Sequence, residues 1–110
     1  MSEPIAIDDF KKVEIRIGEI VSAEKIEGSD KLLKLKVNFG IEERQVLSGI
    51  SAYFPNPQDL VGKKCPFVTN LAPRMMMGLE SQAMILATGG DGETPFALFE
   101  TAGAPGALVR

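Results

Sequence analysis

The chain has 110 residues, 45% hydrophobic and 25% charged, with a net charge of −3; that suffices for one domain whose core needs no disulfide staples, and no apolar run approaches the ~20 residues of a membrane-spanning helix. There is no histidine and a single cysteine, so the commonest general base and metal ligand is missing and Cys65 has no activating partner. No glycine-rich phosphate loop or cysteine cluster for zinc is present either, and we expect a non-catalytic chain without cofactor or metal. The first residues lack the basic and apolar regions of a signal peptide, which together with the lone cysteine fits the cytoplasm.

Residues 1–6 read as a flexible tail. Asp8 or Asp9 can cap a short helical turn ending near Lys12. Val13, Ile15 and Ile17 then alternate with Glu14 and Arg16, the period of a half-buried strand, and after Gly18 the apolar phase shifts to Ile20, which predicts a bulge or bend at the glycine. A long first strand bent in this way can serve both halves of a small closed barrel. Glu27-Gly28-Ser29-Asp30 is a turn. Leu33, Leu35, Val37 and Phe39 alternate with Lys34, Lys36 and Asn38, giving a strand with one apolar and one basic face. Gly40 marks a hairpin, and Glu43 to Leu47 returns as its partner. A solvated face with Glu42 and Glu43 across the hairpin accounts for Lys34 and Lys36 without any ligand. Asn56 can cap a short helix with Pro57 at its first position and Gly62 just past its end, and Tyr53 and Phe54 suit the end of a barrel.

Cys65 to Leu71 reads as a strand that Pro73 terminates, with Cys65 a small buried hydrophobe in phase with Phe67 and Thr69. Gly78 permits a turn in the following loop. Met75, Met76 and Met77 in that loop need a cover, supplied by the core, a second subunit or a ligand. Ala83 to Ala87 is an unbroken apolar run, as in a strand buried on both faces. After the turn at 88–92, Phe96 to Phe99 is a short strand, and the last twenty or so residues are too apolar for a solvated tail. They must pack on the barrel or on another chain.

The net negative charge argues against nucleic-acid binding as a bulk property. The distribution argues the other way: Lys31, Lys34 and Lys36 fall in one segment, with Arg44 close behind, while acids gather at 42–43 and 91–93. A modest basic patch is the expectation.

Asn70-Leu71-Ala72-Pro73-Arg74, followed by Met77-Gly78 and then Ser81 and Met84, resembles the signature of the tRNA-binding OB-fold family. That family includes free-standing tRNA-binding proteins and the C-terminal domain of bacterial methionyl-tRNA synthetases. Ile7 to Gly18, Glu27 to Leu35 and Leu47-Ser48-Gly49-Ile50 resemble its other segments in order, so residues 7–90 are covered. The resemblance implies an all-β, five-stranded OB-fold barrel with a short helix between strands 3 and 4 and a C-terminal β extension. It implies one domain at 7–110, in which about 88–110 serves dimerisation. Such barrels bind oligonucleotides on the face of strands 2–3 and on the flanking loops. By position, the implied tRNA contacts are Lys31, Asn70, Arg74, Ser81 and Met84, with Lys34, Lys36 and Arg44 as weaker candidates. Structural roles compete at several: Asn70 as a strand-end cap, Ser81 bonded to the loop backbone, Met84 in the core. The implied partners are tRNA, a second copy in a homodimer, and an aminoacyl-tRNA synthetase, whether the chain is free-standing or a synthetase fragment. Two residues depart from the pattern: Met75 stands where a further basic residue is common, and Ala83 where glycine is. Related barrels are similar to chaperone-like and cytokine-like proteins, so a protein-interaction module is the alternative.

Overall fold

The first strand, β1 (Ile15–Lys25), is long enough to be shared by two halves of a sheet. In the computed structural model, which describes all residues from Met1 to Arg110, its first half pairs with β4 (Lys64–Val68) and its second with β2 (Leu33–Asn38). β3 (Glu43–Ser48) extends the sheet beyond β2, and β7 (Met84–Ile85) extends it beyond β4. All pairings are antiparallel, and the order β3-β2-β1-β4-β7 curls into the all-β, OB-fold-like barrel that the sequence predicts.

The irregularity in β1 lies elsewhere than expected. The register with β2 slips between Ile20 and Ser22, which puts the bulge at Val21. Gly18 has a different task. A Cβ there would lie 2.8 Å from Phe39 Cε1 and 3.0 Å from Phe67 Cδ1, with Val37 nearer still. Only glycine lets these side chains close over the strand. Phe39 and Phe67 meet edge to face, 5.4 Å between centroids. Around them Ile20, Leu33, Leu35, Val37, Val46, Leu60 and Cys65 are fully buried. Each large aliphatic side chain so removed from water contributes about 1.5–3 kcal/mol. β2 alternates as predicted, with Leu33, Leu35 and Val37 inward and its lysines outward.

The helix between β3 and β4 is minor. It consists of two 3-10 turns, Ser51–Tyr53 and Pro57–Leu60. Asn56 does cap the second, accepting from Gln58 N at 3.2 Å, with Pro57 at the first position. Gly62, at positive φ, follows only five residues after Pro57, which leaves no room for a longer helix; the segment delivers Leu60 into the core. Tyr53 stacks on Phe96 at 4.1 Å, and Phe54 meets Phe96 edge to face.

Three other expectations need correcting. β4 ends at Val68, not Leu71, because Val68 already faces Ile15, the first residue of β1, and the chain bends at Asn70 and Leu71. The 83–87 run is not buried on both faces: Ala83 and Ile85 point inward while Met84 stays 46% exposed, the alternation of a one-sided barrel strand. The last residue of that run opens β8 (Ala87–Thr88), paired with β9 (Ala97–Leu98). At the N-terminus, α1 (Ile7–Phe10) has Ala6 at its cap position, and Asp9 instead pairs with Lys12 at 3.2 Å. The C-terminal segment lies on its own barrel. Gly106 N donates to Ile17 O (2.7 Å), Ile17 N to Ala107 O (2.9 Å) and Val109 N to Ile15 O (2.8 Å).

Candidate nucleic-acid interface

Beyond β4 the chain is clasped to the start of β1. Thr69 N donates to Glu14 O at 2.9 Å. The Asn70 carboxamide accepts from Glu14 N at 2.8 Å and donates to Lys12 O at 2.6 Å. Thr69 Oγ1 donates to the Glu14 carboxylate at 2.7 Å, and Arg16 Nε donates to the same oxygen at 3.0 Å. These two bonds, the threonine's first, hold the Glu14 carboxyl below the usual glutamate range. Asn70 is thus a strand-end clasp in this structure.

From this anchor Pro73 leads into a hairpin, β5 (Arg74–Met76) and β6 (Leu79–Ser81), where the sequence had suggested only a loop. Its two central residues, Met77 and Gly78, have φ of 53° and 76°. Two positive φ values in a two-residue connection are the mark of the type I′ turn, whose twist matches that of paired strands. The hairpin closes the barrel against β3, mostly through side chains. Gln82 N donates to Gln45 O (2.8 Å), but Gln45 N donates to the Gln82 side-chain oxygen (3.0 Å) and Leu47 N to Ser81 Oγ (3.0 Å). Gln45 Nε2 reaches Glu80 O at 2.9 Å. Arg44 donates to Thr69 O (2.6 Å) and Gln82 O (3.2 Å) while pairing with Glu42 at 2.8 Å. Buried Ser81 also donates to Ala83 O at 3.2 Å. Gln45 and Gln82, which carry this closure, were not singled out by the sequence; nothing local distinguishes them from solvated glutamines.

The hairpin, the end of β3 and the entry to β7 enclose a groove of about 280 Å³. Its walls include Gly49, Leu71, Arg74, Met76, Ala83 and Met84. Arg74, Ser81 and Met84 therefore meet at one place, with Ser81 facing it from the closure. The β1–β2 turn borders the hairpin tip, since a Cβ on Gly28 would meet the Met77 methyl at 3.6 Å. Lys31 follows that turn. Its carbonyl accepts from Ser51 N at 3.1 Å, and Leu33 pairs with Ser48 beside the groove.

The remaining candidates separate. Lys34 pairs with Glu24 of β1 at 2.7 Å, not with Glu42 or Glu43, because the register sets Lys34 opposite Glu24. This bond pulls the Glu24 carboxyl down. Lys36 stands exposed on the outer face of β2, opposite Gln45. Arg44 belongs to a different, charged concavity of about 390 Å³ that it shares with Glu14, Arg16 and Glu42. The five ion pairs engage Lys12, Arg16, Lys34, Arg44 and Lys63. Of the cations that the sequence singles out, Lys31, Lys36 and Arg74 are left without one.

A family model described as "Putative tRNA binding domain" matches residues 15–107. Over 89 residues the chain is 52% identical to the methionine–tRNA ligase of Caldanaerobacter subterraneus subsp. tengcongensis, a match that covers 81% of this chain and 14% of the ligase. The chain thus spans only a small part of that relative's length. The crystal structure of a MetRS-related protein from Pyrococcus horikoshii superposes with a TM-score of 0.91 at 37% identity, covering 99% of this chain and all of that one. That of the CsaA chaperone protein from Picrophilus torridus superposes at 0.83 with 28% identity, covering 97% of this chain and all of its own. With the family model spanning the barrel, the hairpin and most of the C-terminal extension, this chain belongs to the tRNA-binding domain family.

Proposed function

We propose that the chain is a non-catalytic cytoplasmic module that grips folded tRNA by its shape, with the β5–β6 hairpin and the β1–β2 turn as the two lips of the contact. Arg74 carries this reading. It is an exposed guanidinium with no acidic partner, on the lip of an apolar groove. Arginine there can grip two phosphate oxygens at once, and phosphate contacts position a protein on RNA without reading its sequence. Lys31 and Lys36 add charge, and Met84 supplies groove wall. Asn70, Ser81 and Arg44 act as positioning residues, because their polar atoms already hold the hairpin to the barrel. The likeness to part of a methionine–tRNA ligase supports work with such an enzyme as appended domain or partner. A homodimer completes the proposal, formed through the apolar face of α1 and the C-terminal segment.

Replacing Arg74 by alanine tests the reading. The fold should hold, with stability changed by no more than about 0.5 kcal/mol. In gel-shift titrations, affinity should fall for all tRNAs alike, and the log–log dependence on salt should flatten by roughly one. Unchanged binding across several salt concentrations would reject the assignment, and a loss confined to one tRNA species would mean base reading. The chaperone likeness favours one second reading, a protein-interaction module. Its binding would be nearly indifferent to salt.

A further inference from the structure

We infer that the groove behind Arg74 holds one unstacked nucleobase of the bound RNA while Arg74 holds the adjoining phosphate; the inference rests on the tRNA-binding reading. At about 280 Å³ the groove falls just below the range of pockets for drug-sized ligands, about 300–1,000 Å³. One ring system is the occupant it suits. Leu71 and Met84 stand 49% and 46% exposed at its walls, apolar surface that stays wet until something flat covers it. Thioethers are polarizable and make favourable contacts with aromatic rings. The charge pattern selects the kind of ring. A single cation lines the groove and no carboxylate does, so the occupant carries one anionic group beside an apolar face. A nucleotide splayed from an RNA loop has that form. The Ser81 hydroxyl is engaged with Leu47 and Ala83, which leaves the base held by its faces rather than read by its edge.

Gly49 gives a clean test. It lines the groove, its φ is not in the left-handed region, and a Cβ on it would meet nothing within 4 Å. Leucine at 49 therefore adds bulk to the groove wall without a clash at its Cβ. Gly49→Leu should keep the thermal midpoint of the wild type yet weaken tRNA binding about tenfold, the order of one lost stacking contact. The salt slope should stay unchanged, since no phosphate contact is removed; Arg74→Ala should flatten it by about one. In wild-type protein carrying ¹³C-methyl methionine, saturation with tRNA should move the Met84 methyl signal upfield, as a ring stacked on it requires. Wild-type affinity in Gly49→Leu, or an unmoved Met84 methyl in the saturated complex, would overturn the base pocket while leaving tRNA binding in place. Failure of the wild type to bind tRNA at low salt would overturn both readings. An upfield shift produced by a phenylalanine-containing peptide and not by tRNA would overturn it in favour of a protein partner.

Discussion

Cys65, the second residue of β4, is fully buried opposite Gly18 and against the core. Burial, with the nearby Glu100 carboxylate adding to it, pushes the thiol up to about 11. The thiolate is the reactive form, so native protein at pH 8 should resist a thiol-specific reagent, while urea-unfolded protein reacts at the rate of a free cysteine. Rapid native labelling would mean that β4 opens readily. The same shift fixes the sign of a pH effect. The folded thiol keeps its proton up to about 11, whereas the unfolded one ionises near the ordinary value of 9. The stability that burial confers is therefore intact below pH 9 and declines as pH rises from there toward 11. Urea midpoints taken across that interval should fall; a flat profile would show that the thiol is not sealed from solvent.

The hairpin is the element on which the site depends, and its turn is imperfectly chosen. Met77 at φ 53° is the one residue other than glycine with positive φ, a region that costs an ordinary L-residue roughly 1–2 kcal/mol and that asparagine tolerates better. Asn-Gly is the favoured type I′ pair. Met77→Asn should therefore raise stability by up to about 1 kcal/mol, less whatever is lost where the methionine covers Gly28. Slower hydrogen exchange at the hairpin amides would show it; faster exchange would mean that the methionine contact outweighs the turn. The same hairpin marks how far the sequence could be read. β1 and β2 were legible because six to eleven residues suffice for alternation, β3 because Gly40 marks the hairpin that returns it, and the Asn56-Pro57 cap because it is local. β5 and β6 are three residues each, too short to show a period. The slip at Val21 needs the partner strand to be seen, since a bulge is a property of a pair. The resemblance named Arg74 and Met84, which line the groove, together with Asn70, Ser81 and Arg44, which hold the hairpin, and did not separate the two sets. That distinction rests on partners distant in the chain: Ser81 meets Leu47 across 34 positions, Asn70 meets Glu14 across 56 and Arg44 meets Gln82 across 38.

The two chain ends build one face on which apolar side chains sit among Lys11, Glu14, Arg16 and Arg110. Ile7, Phe10 and Val13 from the N-terminal segment and Leu108 and Val109 from the C-terminal one surround a concavity of about 270 Å³ and remain substantially exposed. The C-terminal segment already bonds to β1 along one side, so its apolar side chains are held in place while Leu108 and Val109 stay nearly half exposed. A second copy, related by a two-fold axis, would set this face against itself, as isologous dimers do. The barrel core contains neither α1 nor Leu108, so the face can be altered without emptying the interior. Wild type should sediment as a dimer at micromolar concentration, and Phe10→Glu with Leu108→Glu should halve the mass while leaving the strand signal in circular dichroism intact. A wild-type monomer at that concentration would reject the dimer. The monomeric variant also separates two modes of binding. If both grooves of a dimer hold one tRNA, breaking the dimer removes the gain of linked sites and affinity falls by about 100-fold or more. If each groove serves its own tRNA, the variant binds as tightly per chain as the wild type, and only the stoichiometry of the complex changes.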